Sequence, residues 1–265
     1  DWIAAGGGGS PDLYAENYDG TSTLPSATGS NAVAIGINAL ASGFRAMAIG
    51  ENSVASGTRA TAIGLSADST AQQGLALGSN AQAVTGTNAT ALTNSRASGT
   101  DSFAAAIANN TSTYGATGAN SVAMGNRAKA SDGTSVAIGQ DAAASNAGYA
   151  FGLEAVASGA YSFAAGAATD ATAAYTTALG RGAQATHQGA TAIGYLAATT
   201  TTNQVSLGAS GHTVRVSGAY TLPTADGTAN QVLTTDGSGA VTFATAGGGG
   251  GSPDLFAENP SSPTA

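Results

Sequence analysis

Asn31–Gly43 reads NAVAIGINALASG, and two successive stretches repeat its pattern: FRAMAIGENSVASG at Phe44–Gly57 and TRATAIGLSADSTA at Thr58–Ala71. Each stretch contains an AIG element, and the glycines of these elements fall 14 residues apart. Self-similarity at a short fixed period is the sequence signature of a repeat architecture, in which each repeat packs only on its neighbours. The period of this repeat therefore decides the fold class.

The glycine slot of the repeat can be followed along most of the chain. Thr93 and Ala106 are expected to occupy the slot where glycine is absent. The step from Ala106 to Gly125 is 19 residues, which predicts one coil lengthened by an insertion near Asn109–Tyr114. The thirteen slots are Gly36, Gly50, Gly64, Gly78, Thr93, Ala106, Gly125, Gly139, Gly152, Gly166, Gly180, Gly194 and Gly208. Because loops often carry recognition, the insertion is the best candidate for a surface-contacting loop, and a loop that only decorates the rod is the alternative.

Within each repeat, residues alternate with a period of two, which is the pattern of a β-strand. Val33 and Ile35 point to one side of this strand and Ala34 to the other. A second short strand is predicted at Ala39–Ala41, and a Ser-Gly turn then closes the coil. Two strands of about four or five residues per coil, stacked about 4.8 Å apart, predict an all-β parallel β-solenoid about 60 Å long.

The thinness of the coil predicts association between chains. Burial of apolar area is worth roughly 25 cal/mol per Å², and one coil of 14 residues with a single pair of large apolar side chains gains little by itself. We expect the small Ala and Gly faces to pack closely between neighbouring chains, so that about three chains share a core along one axis. Closure into a trimer would also cover the sheet edges. A single-chain solenoid is the alternative.

The composition argues against several classes of function. Only 8% of the residues are charged, compared with about 25% in ordinary globular domains. Seven Lys and Arg residues and a net charge of −8 cannot provide a basic stripe for nucleic acid. No apolar run approaches the roughly 18 residues of a membrane span, so membrane insertion is not expected. Cysteine is absent, which excludes disulfides and thiolate metal sites.

No catalytic, cofactor-binding or metal-binding residues can be assigned from the sequence. His187 and His212 have no carboxylate at ligand spacing, and we expect surface or turn roles for both; a three-His site formed by His212 in a trimer is the remote alternative. The acidic residues are expected singly in turns, at Glu51, Asp68, Asp141, Glu154 and Asp170. The arginines are expected mostly in solvated turns or in pairs with a neighbouring chain: Arg45, Arg59, Arg96, Arg127 and Arg181. The chain is therefore not expected to be an enzyme.

The stretch Ser30–Gly43 resembles the head repeat of trimeric autotransporter adhesins, the YadA-like heads, whose pattern is close to N-S-V-A-I-G-x-x-S-x-A-x-G. The copies at Asn120–Gly125 and Ser135–Gly139 match this pattern well, and the resemblance covers about residues 30–208. It implies a homotrimeric, left-handed parallel β-roll that binds host surfaces or matrix. Asn203–Gly208 resembles the start of the family's neck, but no heptad stalk or membrane-anchor barrel follows.

The segment Tyr220–Phe243 is similar to a different group, a module of bacteriophage tail fibres. Its pattern predicts two strands, Gln231–Thr234 and Ala240–Phe243, around an Asp-Gly-Ser-Gly turn at residues 236–239. Pro223 is expected to end the extended piece that precedes them. Adhesin-type rolls also occur in phage fibres, so the two resemblances are compatible.

A second and longer period indicates a modular polypeptide. Ser10–Asn17 reads SPDLYAEN, and Ser252–Asn259 repeats it as SPDLFAEN after a glycine run, 242 residues later. This period predicts four parts: the end of a preceding module with a Gly-rich linker and connector (1–29), β-roll head repeats (30–208), a neck and β-hairpin module (209–245), and a Gly-rich linker with the start of the next module (246–265). The run Gly247–Gly251 could lie near a common axis, since only glycine allows such an approach.

These observations predict a structural and adhesive fibre segment. The partners implied are further copies of the same chain and a host-surface receptor or glycan, and the implied location is extracellular, on a cell surface or a virion. The alternative is a single-chain solenoid that binds a repetitive ligand such as ice or a polysaccharide. A flat, regular threonine ladder would favour ice, but the threonines are irregular and cluster only at Thr199–Thr202.

Overall fold

A computed structural model describes residues 23–106, 113–216 and 220–245, and it confirms the all-β parallel β-solenoid. The described residues form two units that divide after Ala209. Both copies of the SPDL sequence, the glycine run Gly247–Gly251 and most of the predicted insertion lie outside the described residues. The left-handed winding and the trimer implied by the resemblance stay predictions, as do the four part boundaries.

All the regular elements in the described part of the chain are β-strands. In chain order they are β1 Ser26–Ala27, β2 Val33–Ile35, β3 Leu40–Ala41, β4 Met47–Ile49, β5 Val54–Ala55, β6 Thr61–Ile63, β7 Asp68–Ser69, β8 Leu75–Leu77, β9 Gln82–Ala83, β10 Thr90–Leu92, β11 Arg96–Ala97, β12 Phe103–Ala105, β13 Gly115–Ala116, β14 Val122–Met124, β15 Lys129–Ala130, β16 Val136–Ile138, β17 Ala143–Ala144, β18 Tyr149–Phe151, β19 Val156–Ala157, β20 Phe163–Ala165, β21 Asp170–Ala171, β22 Thr177–Leu179, β23 Gln184–Ala185, β24 Thr191–Ile193, β25 Val205–Leu207, β26 Arg215–Val216, β27 Tyr220–Thr221, β28 Gln231–Thr235 and β29 Val241–Thr245.

Two parallel sheets run along the solenoid. The odd-numbered strands β1 to β23 form a twelve-stranded sheet, and the even-numbered strands β2 to β24, followed by β25, form a thirteen-stranded sheet. Every strand pairs with the equivalent strand of the next coil, as Val33 pairs with Met47 and Ile35 with Ile49. Each coil thus contributes one strand to each sheet, and neither sheet contains an antiparallel pair.

The strand register confirms the thirteen predicted slots. Leu77 pairs with Leu92, which places Thr93 after the strand where other coils have glycine, and Ala106 has the left-handed φ of 56°. Phe103 pairs with Val122, so the 19-residue step is one long coil. The strands themselves are shorter than expected, with three residues in the larger sheet and two in the smaller one, because tight turns take up the rest of each coil.

The interior of the solenoid is built almost wholly from alanine. In the second coil, Ala46, Ala48, Ser53 and Ala55 face inward and are at most 1% exposed. The same positions are buried Ala, Ser or Thr in most of the other coils. The expectation that alanine faces pack between neighbouring chains is therefore wrong: these methyl groups fill the narrow space between the two sheets of one chain. The large aliphatic residues of the same strands face outward instead.

Several buried hydroxyl groups support the turns from inside, whereas those of Ser69, Ser135 and Ser162 have no hydrogen-bond partner. Ser53 donates a hydrogen bond to the carbonyl oxygen of Gly50 at 2.8 Å, and Thr169 repeats the contact with Gly166 at 3.0 Å. A buried hydroxyl is costly unless it is hydrogen-bonded, and here the turn carbonyl three residues earlier provides the partner. Ser and Thr are therefore compatible with an interior that otherwise accepts only alanine.

Glycine is favoured in the slot that defines the repeat, which only Thr93 and Ala106 occupy in its place. Gly139 has a φ of 136°, which L-residues with a side chain rarely adopt. A Cβ at this position would also collide with the carbonyl group of Gly152 in the next coil. The positive φ and the close approach to the next coil recur at most of the slots, which explains why the spacing of these glycines equals the coil length.

The second unit contains two short antiparallel pairs. β26 pairs with β27, and β28 pairs with β29 in the register Thr235↔Val241. The hairpin predicted from the sequence is thus confirmed, with each strand one residue longer than expected and the second strand beginning one residue later. The Asp236 side chain accepts hydrogen bonds from the backbone N–H groups of Ser238 and Ala240, which lowers the pKa of Asp236 and orders the turn.

Ala137→Leu tests the narrowness of the interior. Ala137 is 0% exposed, and overpacking of a filled core costs about 1–3 kcal/mol or more, so we expect the urea midpoint to fall by an amount equivalent to about 3 kcal/mol. The matched control is Val136→Leu on the neighbouring outward position, where Leu75 holds the same slot in another coil; its effect should stay within about 0.5 kcal/mol. Equal midpoints, followed by far-UV circular dichroism, would show that the interior has spare room.

Candidate interaction face

The outward side of the thirteen-stranded sheet is a continuous apolar surface, here called the apolar face. It consists of the first and third residues of each strand, since the middle residue points inward. The first positions are Val33, Met47, Thr61, Leu75, Thr90, Phe103, Val122, Val136, Tyr149, Phe163, Thr177, Thr191 and Val205. The third positions are Ile35, Ile49, Ile63, Leu77, Leu92, Ala105, Met124, Ile138, Phe151, Ala165, Leu179, Ile193 and Leu207.

Large side chains on the apolar face remain exposed in the single chain. Leu77 is 43% exposed and Leu179 is 44% exposed, although both lie in the middle of a regular ladder with strands on either side. Soluble monomers rarely expose contiguous apolar patches of more than a few hundred Å². A patch that follows a whole sheet is typical of a surface that another molecule covers.

The side-chain volume on the apolar face is balanced within coils. In β12 and β20 the third position is only alanine, Ala105 and Ala165, and in both strands the first position is phenylalanine. The Phe163 ring lies 5.8 Å from the Phe151 ring of the preceding coil, centroid to centroid, and thus reaches the space that Ala165 leaves. Such compensation is expected where the available space is limited, as it is in a packed core.

The outward side of the twelve-stranded sheet is mixed in character. It includes Leu40 and Val54, but also the successive residues Asp68, Gln82 and Arg96. Arg96 donates a hydrogen bond to the Gln82 side chain at 2.9 Å. Asp68 and Asp170 were expected in turns and Arg96 mostly so, but all three begin strands. The outward slot of this sheet tolerates charge because solvent reaches it.

Burial distinguishes Asp68 from the other acidic groups. Its carboxyl pKa is raised, first because the group is partly buried, and the charge of Arg96 offsets only part of that effect. Asp141 shows the opposite behaviour: hydrogen bonds from Arg127 hold its pKa below the usual range. This ion pair joins successive coils of the same chain, so Arg127 has a partner without a neighbouring chain.

Two edges flank the apolar face, and each is a ladder of residues with left-handed backbone conformation. The first turn edge precedes the strands of the larger sheet and consists of Asn31, Arg45, Arg59, Gln73, Asn88, Asp101, Asn120, Thr134, Ala147, Tyr161, Tyr175, Gly189 and Asn203. The second turn edge follows those strands and consists of Asn38, Asn52, Ser66, Asn80, Asn94, Arg127, Asp141, Glu154, Ala168, Gly182 and Leu196. Asparagine is frequent here because its short polar side chain tolerates this conformation.

Side chains within each edge bind to one another from coil to coil. Asn38 donates to Asn52 at 3.0 Å, and Asn88 donates to Asp101 at 2.7 Å. The rings of Tyr161 and Tyr175 are stacked, with centroids 5.8 Å apart and planes inclined by 8°. The edges therefore carry the most varied chemistry of the solenoid, while the interior is nearly uniform.

Each of the chain's two units contains one histidine. His187 lies in a turn beside the hydroxyl groups of Thr186 and Thr199, at 3.2 and 3.5 Å from its Nδ1, and His212 is exposed. Over residues 23–106, 113–216 and 220–245, no three His, Cys, Asp or Glu side chains gather as metal ligands. The same residues contain no helix that could span a membrane.

The family model described as the YadA head domain repeat matches four ranges of the solenoid: residues 27–43, 41–67, 116–142 and 171–197. The chain thus contains YadA-type head repeats, as the sequence pattern predicts. Among solved structures, the collagen-binding domain of the Yersinia adhesin YadA is 22% identical, with 75% of this chain and 80% of that chain covered and a TM-score of 0.33. A search of curated proteins finds no match.

Substitution of the two aspartates should change the stability in opposite directions. Because the folded state raises the pKa of Asp68 above 3.8, ionisation of Asp68 destabilises the fold, and Asp68→Asn should raise the melting temperature at pH 7. Asp141→Asn should lower it, because the low pKa of Asp141 reports a stabilised carboxylate. The gain from Asp68→Asn should disappear below pH 3.8, and the loss from Asp141→Asn should disappear as the pH falls through the lowered pKa. Melting curves from pH 3 to 8 check both signs.

Proposed function

We propose that this chain is a segment of an extracellular, homotrimeric, adhesive fibre in which the apolar faces of three copies meet along a common axis. The exposed apolar face is the observation that carries this proposal. Its large side chains lie in two straight ladders along the solenoid, and burial at roughly 25 cal/mol per Å² over thirteen strands would provide the stabilisation that the alanine interior does not. The match to YadA-type head repeats supports three as the number of copies.

The proposed trimer also accounts for the contrast between the two sheets. The outward positions of the twelve-stranded sheet include Asp68, Arg96 and Lys129, whereas those of the thirteen-stranded sheet contain no charged residue. Burial of unpaired charge is costly, so only the second sheet is suited to a shared core. In the proposed fibre the twelve-stranded sheets face solvent and the surface that a host molecule would contact.

The finer assignments belong to the same proposal. The hairpin unit, β26 to β29, is proposed as a tail-fibre-like module at the end of the head, and the repeated SPDL sequence marks the junction to the next module. The fibre would project from a cell surface or a virion and bind a receptor or glycan. Collagen, which the Yersinia domain binds, is the first host molecule to test.

The mass in solution tests the shared core. Light scattering of the 265-residue chain should give about three times 25.1 kDa. Ile49→Asp places a charge on the apolar face and should yield monomers, because the desolvation of an unpaired carboxylate opposes assembly. Val54→Asp places the same charge on the outward position of the twelve-stranded sheet and should leave the mass unchanged. A wild-type mass of 25.1 kDa would overturn the proposal.

Adhesion should depend on the trimer. Beads coated with collagen or with matrix glycans are offered to the wild-type chain and to Ile49→Asp. We expect the monomeric variant to bind about a hundredfold more weakly to whichever surface retains the wild type, because three linked sites bind with avidity. The Val54→Asp variant controls for the added charge. Equal binding by all three chains, or binding by none to any matrix component, would contradict an adhesive trimer.

The single-chain alternative receives little support from the outward ladders. Threonine occupies the first position of the apolar face at Thr61, Thr90, Thr177 and Thr191, and only Thr177 and Thr191 are paired neighbours. A flat ice-binding surface requires a regular threonine array, and here bulky aliphatic and aromatic residues interrupt it. A monomeric mass together with thermal hysteresis would restore this alternative.

A further inference from the structure

The two turn edges are complementary in size over four successive coils. Where the first turn edge carries a small residue, the second carries a large one, and the reverse also holds. The members of each pair are seven residues apart and flank the same strand of the thirteen-stranded sheet: Ala147 with Glu154, Tyr161 with Ala168, Tyr175 with Gly182, and Gly189 with Leu196. The bulky tyrosines thus lie at the coils where the opposite edge carries the small residues Ala168 and Gly182.

Within one chain, side chains of the next coil already lie over two of the small residues, because a Cβ would collide with Leu196 at Gly182 and with Asn203 at Gly189. Those contacts do not explain why a small residue on one edge is matched by a large residue on the other edge of the same coil. The two residues of a pair lie on opposite sides of their coil, separated by a strand such as Phe163–Ala165, so their side chains do not meet. In the single chain Tyr161 is 67% exposed and Tyr175 is 61% exposed. Two stacked aromatic rings that remain so open indicate a surface with an external partner.

A neighbouring copy of the chain would bring the first turn edge of one copy against the second turn edge of another. Each apolar face has the first turn edge on one side and the second turn edge on the other. When identical faces are arranged around a rotation axis, the interface is heterologous, and each copy brings its first edge to the second edge of its neighbour. If the copies are level with each other, the residues that meet belong to the same coil, which is how the size pairs are arranged.

Near the start of the solenoid, opposite charges likewise lie on opposite edges of the same coil. Arg45 and Arg59 are neighbours on the first turn edge, and no ion pair holds either of them within the described residues. Glu51 lies in the turn that follows β4, beside Asn52 of the second turn edge. Arg45 and Glu51 thus flank the same strand from opposite sides, so the carboxylate of one copy would approach the guanidinium of the next.

We infer that, in the assembled fibre, the first turn edge of each copy packs against the second turn edge of a neighbouring copy at the same coil, with Tyr161 on Ala168 and Tyr175 on Gly182 and the Leu196 side chain that covers it. This inference rests on the proposed function and specifies its inter-chain contacts. The tyrosine pair forms the bulky part of the contact, and Arg45 and Glu51 contribute charge complementarity.

Disulfide crosslinking tests the coil assignment directly, because the chain contains no cysteine. Tyr161→Cys with Ala168→Cys places one thiol on each edge of the same coil. Both sites have left-handed φ values in residues that already carry a Cβ. A disulfide needs Cβ atoms about 3.5–4.5 Å apart, which excludes closure across the coil of one chain. Mild oxidation should therefore give a covalent trimer on a non-reducing gel.

Matched pairs control for the crosslinking result. Ala147→Cys with Glu154→Cys places the two thiols on the edges of another coil and should also give a covalent trimer. This second pair keeps the test valid if the first variant has a local folding defect. Tyr161→Cys with Leu196→Cys joins edges two coils apart, roughly 10 Å along the axis, and should give none. Each single-cysteine variant should stay uncrosslinked as a trimer.

Light scattering of the same samples distinguishes failure of the proposed trimer from failure of the edge-to-edge contact alone. Monomers of the cysteine-free chain would overturn the proposed function, and this inference with it. Trimers in which neither same-coil pair crosslinks, or in which the pair two coils apart crosslinks instead, would overturn only the edge-to-edge contact. Covalent trimers from both same-coil pairs, and from no other pair, are the expected result.

Discussion

The space between the two sheets of one coil is the constraint on which the rest of the structure depends. Backbone hydrogen bonds fix the spacing of the coils along the axis, and the short turns hold the two sheets so close that facing methyl groups fill the gap. Ala48, Ala62 and Ala76 stand one above another in this space, each fully buried. Any larger side chain must point outward, so the width of the interior determines the nature of the exterior.

An interior of methyl groups buries little apolar area per residue, so the stability of the solenoid depends on its hydrogen-bond ladders and on surfaces outside the coil. This explains why Ile49 and Leu77 face outward although they are among the largest apolar residues of their strands. In a typical globular domain such residues would form the core. In the proposed trimer they would form a core together with other copies, and the pairing of Phe163 with Ala165 fits a shared space of limited volume.

The sequence predicts the period, the thirteen slots and the hairpin because each depends on local backbone requirements. Glycine marks the turn in eleven of the thirteen slots, and Thr93 and Ala106 could be placed in the other two by counting alone. The sequence does not predict which side of a strand faces inward, since the alternation of Ala34 with Val33 and Ile35 fits either orientation. Only the distance between the sheets settles that question. The same limit explains why Asp68 and Arg96 were assigned to turns: their slot is an outward strand position, and period-two alternation does not exclude charge there.

The interior positions accept very few residue types, whereas the edge positions accept many. Inward positions repeat alanine because a methyl group is all that fits, whereas the coils that deviate in length, such as the one between Phe103 and Val122, take up the extra residues outside the strands. Turn residues project from the solenoid and need only a left-handed backbone, so Asn, Arg, Tyr and Leu all occupy equivalent slots. Variation along the chain is therefore confined to the outward strand positions and the edges, and the uniform interior keeps those residues at a constant spacing.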